Sequence, residues 1–168
     1  MKKFSLAVLS CLCLSGCLGY RIGSVKPNYL SDIHTIAVPT FKNQTLQPRI
    51  EVLVTDTVVK QFQQDGTFRI ASNENSDAIL EGQIVTVGRS PARSLRGNVL
   101  ATTEFNLVMR VKYRLIGRDG RPLGPQGVAT GTTSFFVGSD VATDERQALP
   151  LATEQLATQL VSQLSEGW

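Results

Sequence analysis

Apolar and polar positions alternate most cleanly over residues 102–116. Phe105, Leu107, Met109, Val111, Tyr113 and Leu115 fall on one side, and Glu104, Asn106, Arg110, Lys112 and Arg114 on the other. A period of two over that length predicts a strand with one face on a core and one in water. It is longer than most strands, so part of it is expected to project beyond any covering layer. Residues 77–89 alternate less regularly, with Gly82 and Gly88 as the expected bulge or bend positions. Residues 127–137 predict a third strand of the same meander, after turn signals at Asp119-Gly120 and Gly124-Pro125.

Upstream, the β-branched run "IHTIAVPTF" (residues 33–41) predicts a strand, with Pro39 at its end or on an edge. "KNQTLQP" then predicts a turn that places Pro48 at the first position of a helix. Ile50, Leu53, Val54, Thr57, Val58 and Phe62 recur at helical spacing. The many β-branched residues mean that packing rather than propensity must hold this helix. Asp65-Gly66 ends it, "TFRIAS" predicts a short strand and "NENS" a loop. Residues 143–165 carry Leu149, Ala152, Leu156, Leu160 and Leu164 on one stripe, which predicts a closing helix capped by Asp140 or Thr143. Pro150 is expected to kink it or push its start later. The order is strand, helix, strand, a three-strand meander, helix. It predicts an α+β, two-layer domain: a mixed sheet of four to five strands, with two helices packed on one face and the other face open.

The first residues obey different rules. Lys2 and Lys3 form a basic head, residues 4–14 are mostly apolar, and Ser15 and Gly16 are small, which is the layout of a secretory signal peptide. The apolar stretch is too short for a permanent membrane helix, which needs about 20 residues. "LSGC" (residues 14–17) resembles the lipobox of bacterial lipoproteins at every position. That resemblance implies cleavage before Cys17, lipid on the Cys17 sulfur and acylation of the new amino terminus. Several acyl chains exceed what stable anchoring requires. Leu18 in place of an aspartate implies an outer-membrane address, on the periplasmic face. The expected organisation is a removed signal peptide over residues 1–16, a lipidated lead over 17–32 and a single domain over 33–168. Cys11 and Cys13 would be lost with the signal, so Cys17 alone would remain, with no partner for an intrachain disulfide or a cysteine-based metal site.

Charge changes the picture more than composition does. The whole chain carries a formal +3, or +1 without Lys2 and Lys3. Residues 82–122 hold eight basic residues and two acids, a local +6, so the rest of the mature chain is −5. Such segregation points to an anionic partner. Arg89, Arg93 and Arg96 stand in "RSPARSLRGN", which predicts a loop between two strands. Arg110, Lys112 and Arg114 project from one face of the following strand. If the two strands pair, these six residues make one basic strip, suited to a phosphorylated lipid, an acidic barrel wall or nucleic acid, or simply a solvated face. An exported lipoprotein without aromatic stacking positions is a poor nucleic-acid binder. Catalysis has little support. His34 is the one histidine and reads as a packed or edge-strand residue, carboxylates are scattered, and no catalytic or nucleotide-binding motif is present. No metal and no cofactor beyond the lipid on Cys17 is expected.

The lipobox followed by "GYRIG", then "IAVPTFKNQT", "QPRIEVLVTDTVVKQF", "SDAILEGQIV", the long hairpin and the terminal helix together resemble the lipopolysaccharide-assembly lipoprotein family, LptE. The resemblance implies a fold of two helices on a mixed sheet and a non-enzymatic role. Such a protein sits within an outer-membrane β-barrel that delivers lipopolysaccharide, assists its assembly, plugs it and contacts the lipopolysaccharide. "IAVPTFKNQT" also resembles the opening strand of envelope lipoprotein modules that activate a cell-wall synthase or form part of a secretion channel.

Overall fold

The computed structural model describes residues 26–95 and 98–167. The expected signal peptide and Cys17 lie outside the described residues, as does Arg96. A single 3₁₀ turn, Asn28–Leu30, leads into β1 (Thr35–Ala37), β2 (Lys42–Asn43), α1 (Ile50–Asp65), β3 (Arg69–Ile70), β4 (Ala78–Leu95), β5 (Asn98–Gly117), β6 (Pro122–Phe136) and α2 (Val141–Ser165). The six strands form one mixed sheet in the order β3-β1-β4-β5-β6, with β2 also on β4. β1 runs parallel to β3 and β4, β2 is parallel to β4, and β4, β5 and β6 are antiparallel. This is the expected α+β two-layer class, with one strand more than expected.

The extra strand arises because the first predicted strand is broken. β1 pairs with Ala78 and Ile79, and β2 with Gln83 and Ile84, so both follow the same side of β4. Pro39 lies between them and has no N–H for a ladder bond. The Phe41 N–H donates instead to Thr55 Oγ1 at 3.0 Å, while that hydroxyl donates to the Glu51 carbonyl at 2.6 Å. The buried Thr55 thus satisfies a main-chain group that the break sets free. The Phe41 ring lies over Gly82, where a Cβ would approach it to 2.5 Å. Gly82 is therefore a close-approach site and not a bulge. The bulge falls between Ile84 and Thr86.

α1 starts at Ile50, later than Pro48 suggested, because Arg49 stands in the left-handed region (φ 60°) and breaks the helical run. Gly66 (φ 74°) ends it, and its N–H bonds the Phe62 carbonyl at 3.0 Å. Asp140 caps α2 through the Ala142 N–H at 3.0 Å. The helix is continuous through position 150 and starts at Val141, so Pro150 does not push its start later. Pro150 sits on its exposed side, where water can reach the carbonyl it leaves without a donor.

Both helices cover one sheet face. Leu107, Met109, Val111 and Leu115 of β5 meet Val54, Val58 and Phe62 of α1 and Leu156, Leu160 and Leu164 of α2 in one core. Each such side chain contributes about 1.5–3 kcal/mol on burial. Leu30 joins the same cluster. α2 lies on β6 so closely that a Cβ at Gly131 would stand 1.8 Å from the Ala152 carbonyl oxygen. At the start of β1, the Asp77 carboxylate accepts from the His34 N–H (3.0 Å), the Thr35 N–H (2.9 Å) and the Thr35 hydroxyl (2.8 Å). These bonds hold its pKa below the ordinary 3.8.

Gly131→Ala is expected to cost about 1–3 kcal/mol, because the obstacle is backbone and cannot swing away. Gly88→Ala, with nothing within 4 Å, is the control. The check is the urea midpoint of each at unchanged m value. A second expectation concerns acid. With the folded pKa of Asp77 depressed, its contribution is complete above 3.8 and is lost as pH falls through the lower folded value. Thermal unfolding from about pH 5 to about pH 2 should therefore show a shallower acid slope for Asp77→Ala than for the wild type.

Candidate functional site

The helices leave the other face of the sheet uncovered, and the register fixes what stands on it. Gln83 of β4 is flanked by Lys42 of β2 on one side and Lys112 of β5 on the other. Adjacent strands lie about 4.8 Å apart, so the two lysines are rooted about 10 Å from each other. One step along, Arg110 stands between Thr86 and Thr130; one step the other way, Arg114 stands beside Glu81. Lys42, Arg110, Lys112 and Arg114 are all exposed. Arg114 is bound to Glu81, with Nη2 at 2.7 Å and Nε at 2.8 Å from the same carboxylate oxygen. Lys42, Arg110 and Lys112 have no carboxylate partner among the described residues. Glu81, Gln83, Lys112, Arg114 and Gln126 line a shallow depression on this face. The result is a cluster of cations with amide and hydroxyl groups between them. That arrangement can hold phosphate or carboxylate groups.

The six basic residues expected to form one strip are divided. Residues 89–95 are not a loop but the upper part of β4. Arg89 pairs in register with Leu107, on the helix-covered side. Its guanidinium binds Glu145 of α2 and lies 5.3 Å from the centre of the Phe105 ring. Phe105 in turn stacks on Phe135 at 5.8 Å. Arg89 thus closes the upper end of the core. Arg93 lies in register with Glu104, and its Nε is 3.8 Å from that carboxylate. Arg96 lies outside the described residues. Arg110, Lys112 and Arg114 come together as expected. Lys42 was missed, because "KNQT" reads as a turn; the only signal was the preceding β-branched run, which could have been extended through it.

His34 is exposed, with Nδ1 3.0 Å from the Asp32 carbonyl oxygen. No group of three or more His, Cys, Asp or Glu able to hold a metal occurs among the described residues. No helix among them is long and apolar enough to cross a membrane.

Residues 33–164 match the lipopolysaccharide-assembly family LptE. The chain belongs to this family. The match takes in both helices and every strand, including the open face, and makes the protein an LptE-like envelope lipoprotein. No curated protein matches. Solved structures share the fold at low identity. A PelC dodecamer variant from Paraburkholderia phytofirmans is 20% identical, with a TM-score of 0.51, over 80% of this chain and 88% of that one. A minor lipoprotein from Acinetobacter baumannii is 16% identical, with a TM-score of 0.52, over 79% and 93%. A hypothetical protein from Chlamydia trachomatis is 7% identical, with a TM-score of 0.56, over 79% and 96%.

The division of the basic residues predicts opposite phenotypes. Arg89→Ala should lower stability by about 1 kcal/mol, from the lost ring contact and ion pair. Lys112→Ala should stay within about 0.5 kcal/mol of wild type. Chemical unfolding of both variants is the check.

Proposed function

We propose that this LptE-family protein is anchored to the periplasmic face of the outer membrane by lipid on Cys17. There it assists the assembly of a lipopolysaccharide-export β-barrel, plugs that barrel, and contacts lipopolysaccharide through its open sheet face. It acts by binding and not by catalysis. The observation that carries the reading is the trio Lys42, Arg110 and Lys112, which forms no ion pair among the described residues, on the sheet face that no helix covers. Lipopolysaccharide carries phosphates, and an arginine fork or a lysine ammonium binds phosphate through charge-assisted hydrogen bonds of about 1.5–3 kcal/mol each. A plug also needs a polar exterior to lie in a wet lumen. Thr130, Thr132 and Ser134 continue the open face and the β6 edge in that character. Arg114 is secondary here, since Glu81 already satisfies it, and Arg93 is held by Glu104. Arg89 serves the fold, and Arg96 remains a candidate by charge and chain position.

The triple charge reversal of Lys42, Arg110 and Lys112 to glutamate should weaken lipopolysaccharide binding about tenfold or more, and reduce its salt dependence, without lowering the melting temperature. Binding at wild-type strength across salt concentrations would reduce the trio to a solvated face. Capture of the barrel from envelope extracts tests the plug separately. Recovery of a cell-wall synthase or a secretion channel in its place would favour the other class of envelope lipoprotein.

A further inference from the structure

The free edge of β6 is covered by α2 in an unusual way. The Thr130 N–H donates to Gln159 Oε1 at 2.5 Å, and the Thr132 N–H donates to Gln155 Oε1, also at 2.5 Å. The Thr132 hydroxyl donates to the same amide oxygen at 3.0 Å. Four residues of helix advance about 6.0 Å and two residues of strand about 6.6 Å, so the two elements stay nearly in step. Glutamines four apart on α2 therefore meet alternate outward N–H groups of the edge strand. Such groups are otherwise open to any extended chain.

The ladder stops one step early. The next outward N–H is that of Ser134, because outward positions alternate along an edge strand. The next helix position is Leu151, which has no acceptor. Ser134 is exposed, and no side chain among the described residues accepts from its N–H. Two large apolar side chains flank the gap: Phe136 is 69% exposed and Leu151 56%. A groove runs between them, walled by Ser134, Phe136, Asp144, Ala148 and Leu151. Its rim is acidic. Asp144 lines the groove, accepts from the Gly138 N–H and forms no ion pair among the described residues. Asp140, outside the groove, accepts from the Ala142 N–H and the Thr143 hydroxyl and has Arg146 close by.

We propose that this gap is a strand-addition site, which takes an extended segment of a partner polypeptide on the β6 edge at Ser134. The segment is apolar on the side that covers Phe136 and Leu151 and basic beside Asp144. Main-chain pairing with the edge supplies the affinity, and the groove and acidic rim supply the selection. The basic character of the occupant follows from charge complementarity with the rim. It does not depend on the lipopolysaccharide reading, which concerns the open face.

The variant Leu151→Gln restores the glutamine spacing and should close the site at an exposed position. Amide hydrogen exchange on the full chain in detergent reads the result directly. In the wild type, Ser134 should exchange at least about tenfold faster than Thr130 and Thr132; in L151Q it should join them. The binding probe is a capped six-residue peptide of alternating valine and lysine. It should shift the Ser134 and Phe136 resonances of the wild type and protect the Ser134 amide. L151Q should lose both effects, and Ser134→Pro, with its missing N–H, should lose the Phe136 shift. A proline-interrupted peptide and an alternating valine–glutamate peptide should not bind. The proposal is overturned by a Ser134 amide already protected in the free wild type, by undiminished peptide binding to L151Q, or by equal binding of the acidic peptide. Concentration-dependent protection without peptide would make the occupant a second copy and would overturn it as well.

Discussion

The contact on which the rest of the architecture depends is the approach of α2 to the backbone of β6 at Gly131. A helix that rested on side chains would stand off the sheet; here the Ala152 carbonyl occupies the space a Cβ would need. That closeness lets Gln155 and Gln159 reach the strand's main chain and cover its edge. It also lets Leu156 and Leu160 sink fully into the core. At the far end of the helix, Gln163 accepts from the Tyr113 hydroxyl at 2.7 Å. Burial pushes that phenol up to about 12, so it stays neutral and donating at any physiological pH. Packing and edge protection, normally separate problems, are solved by one helix in one register.

Commitment of both helices to one face decides where function can lie. The covered face is saturated: its buried side-chain polar atoms all have partners among the described residues. The open face has no layer to bury it, so its strands carry mostly polar and charged groups there, with Val108 and Val128 interspersed. Cations placed there stay hydrated and repel one another. Among the described residues, three of the four form no ion pair, so their charges are not committed to the fold. The Glu81–Arg114 pair at the edge of the cluster is half-exposed and worth about 0–1 kcal/mol. It limits the cluster more than it stabilises the fold.

Much of this was legible in the sequence. The alternation of β5 gave its two faces residue by residue, and the leucine stripe of α2 is the stripe that is buried. Element order and the two-layer class followed from periodicity alone. Three features did not. The break between β1 and β2 depends on Thr55, twelve or more residues away in sequence from the strand it rescues, so "KNQT" read as a turn and Lys42 went unnoticed. Arg49 in a left-handed conformation overrides the helix start that Pro48 suggests. The upper part of β4 contains Pro91 and serines, which local propensity assigns to a loop, yet the hairpin partner holds it extended.

The fate of the arginines turns on that same segment, and on parity. Up to Ile84, the even positions of β4 face the helices: Leu80 and Ile84 are fully buried. Continued without interruption, this would set Arg89 opposite Asn106, on the open face with Arg110. The bulge between Ile84 and Thr86 inserts one residue and exchanges the faces, so Val87 joins the core and Arg89 lies opposite Leu107. A second irregularity, between Pro91 and Arg93, exchanges them back and sets Arg93 opposite Glu104 on the open side. Two single-residue insertions therefore turn a run of like charges into a structural arginine that seals the core and a surface arginine tied to an acid. Neither insertion has a glycine to mark it: Val85 and Ala92 are the residues skipped, and nothing in their chemistry distinguishes them from ladder positions. A charge count can identify a basic segment, but only the register says which of its members share a surface. In this protein the register keeps Arg110 and Lys112 together, adds Lys42 from a distant part of the chain, and withdraws Arg89.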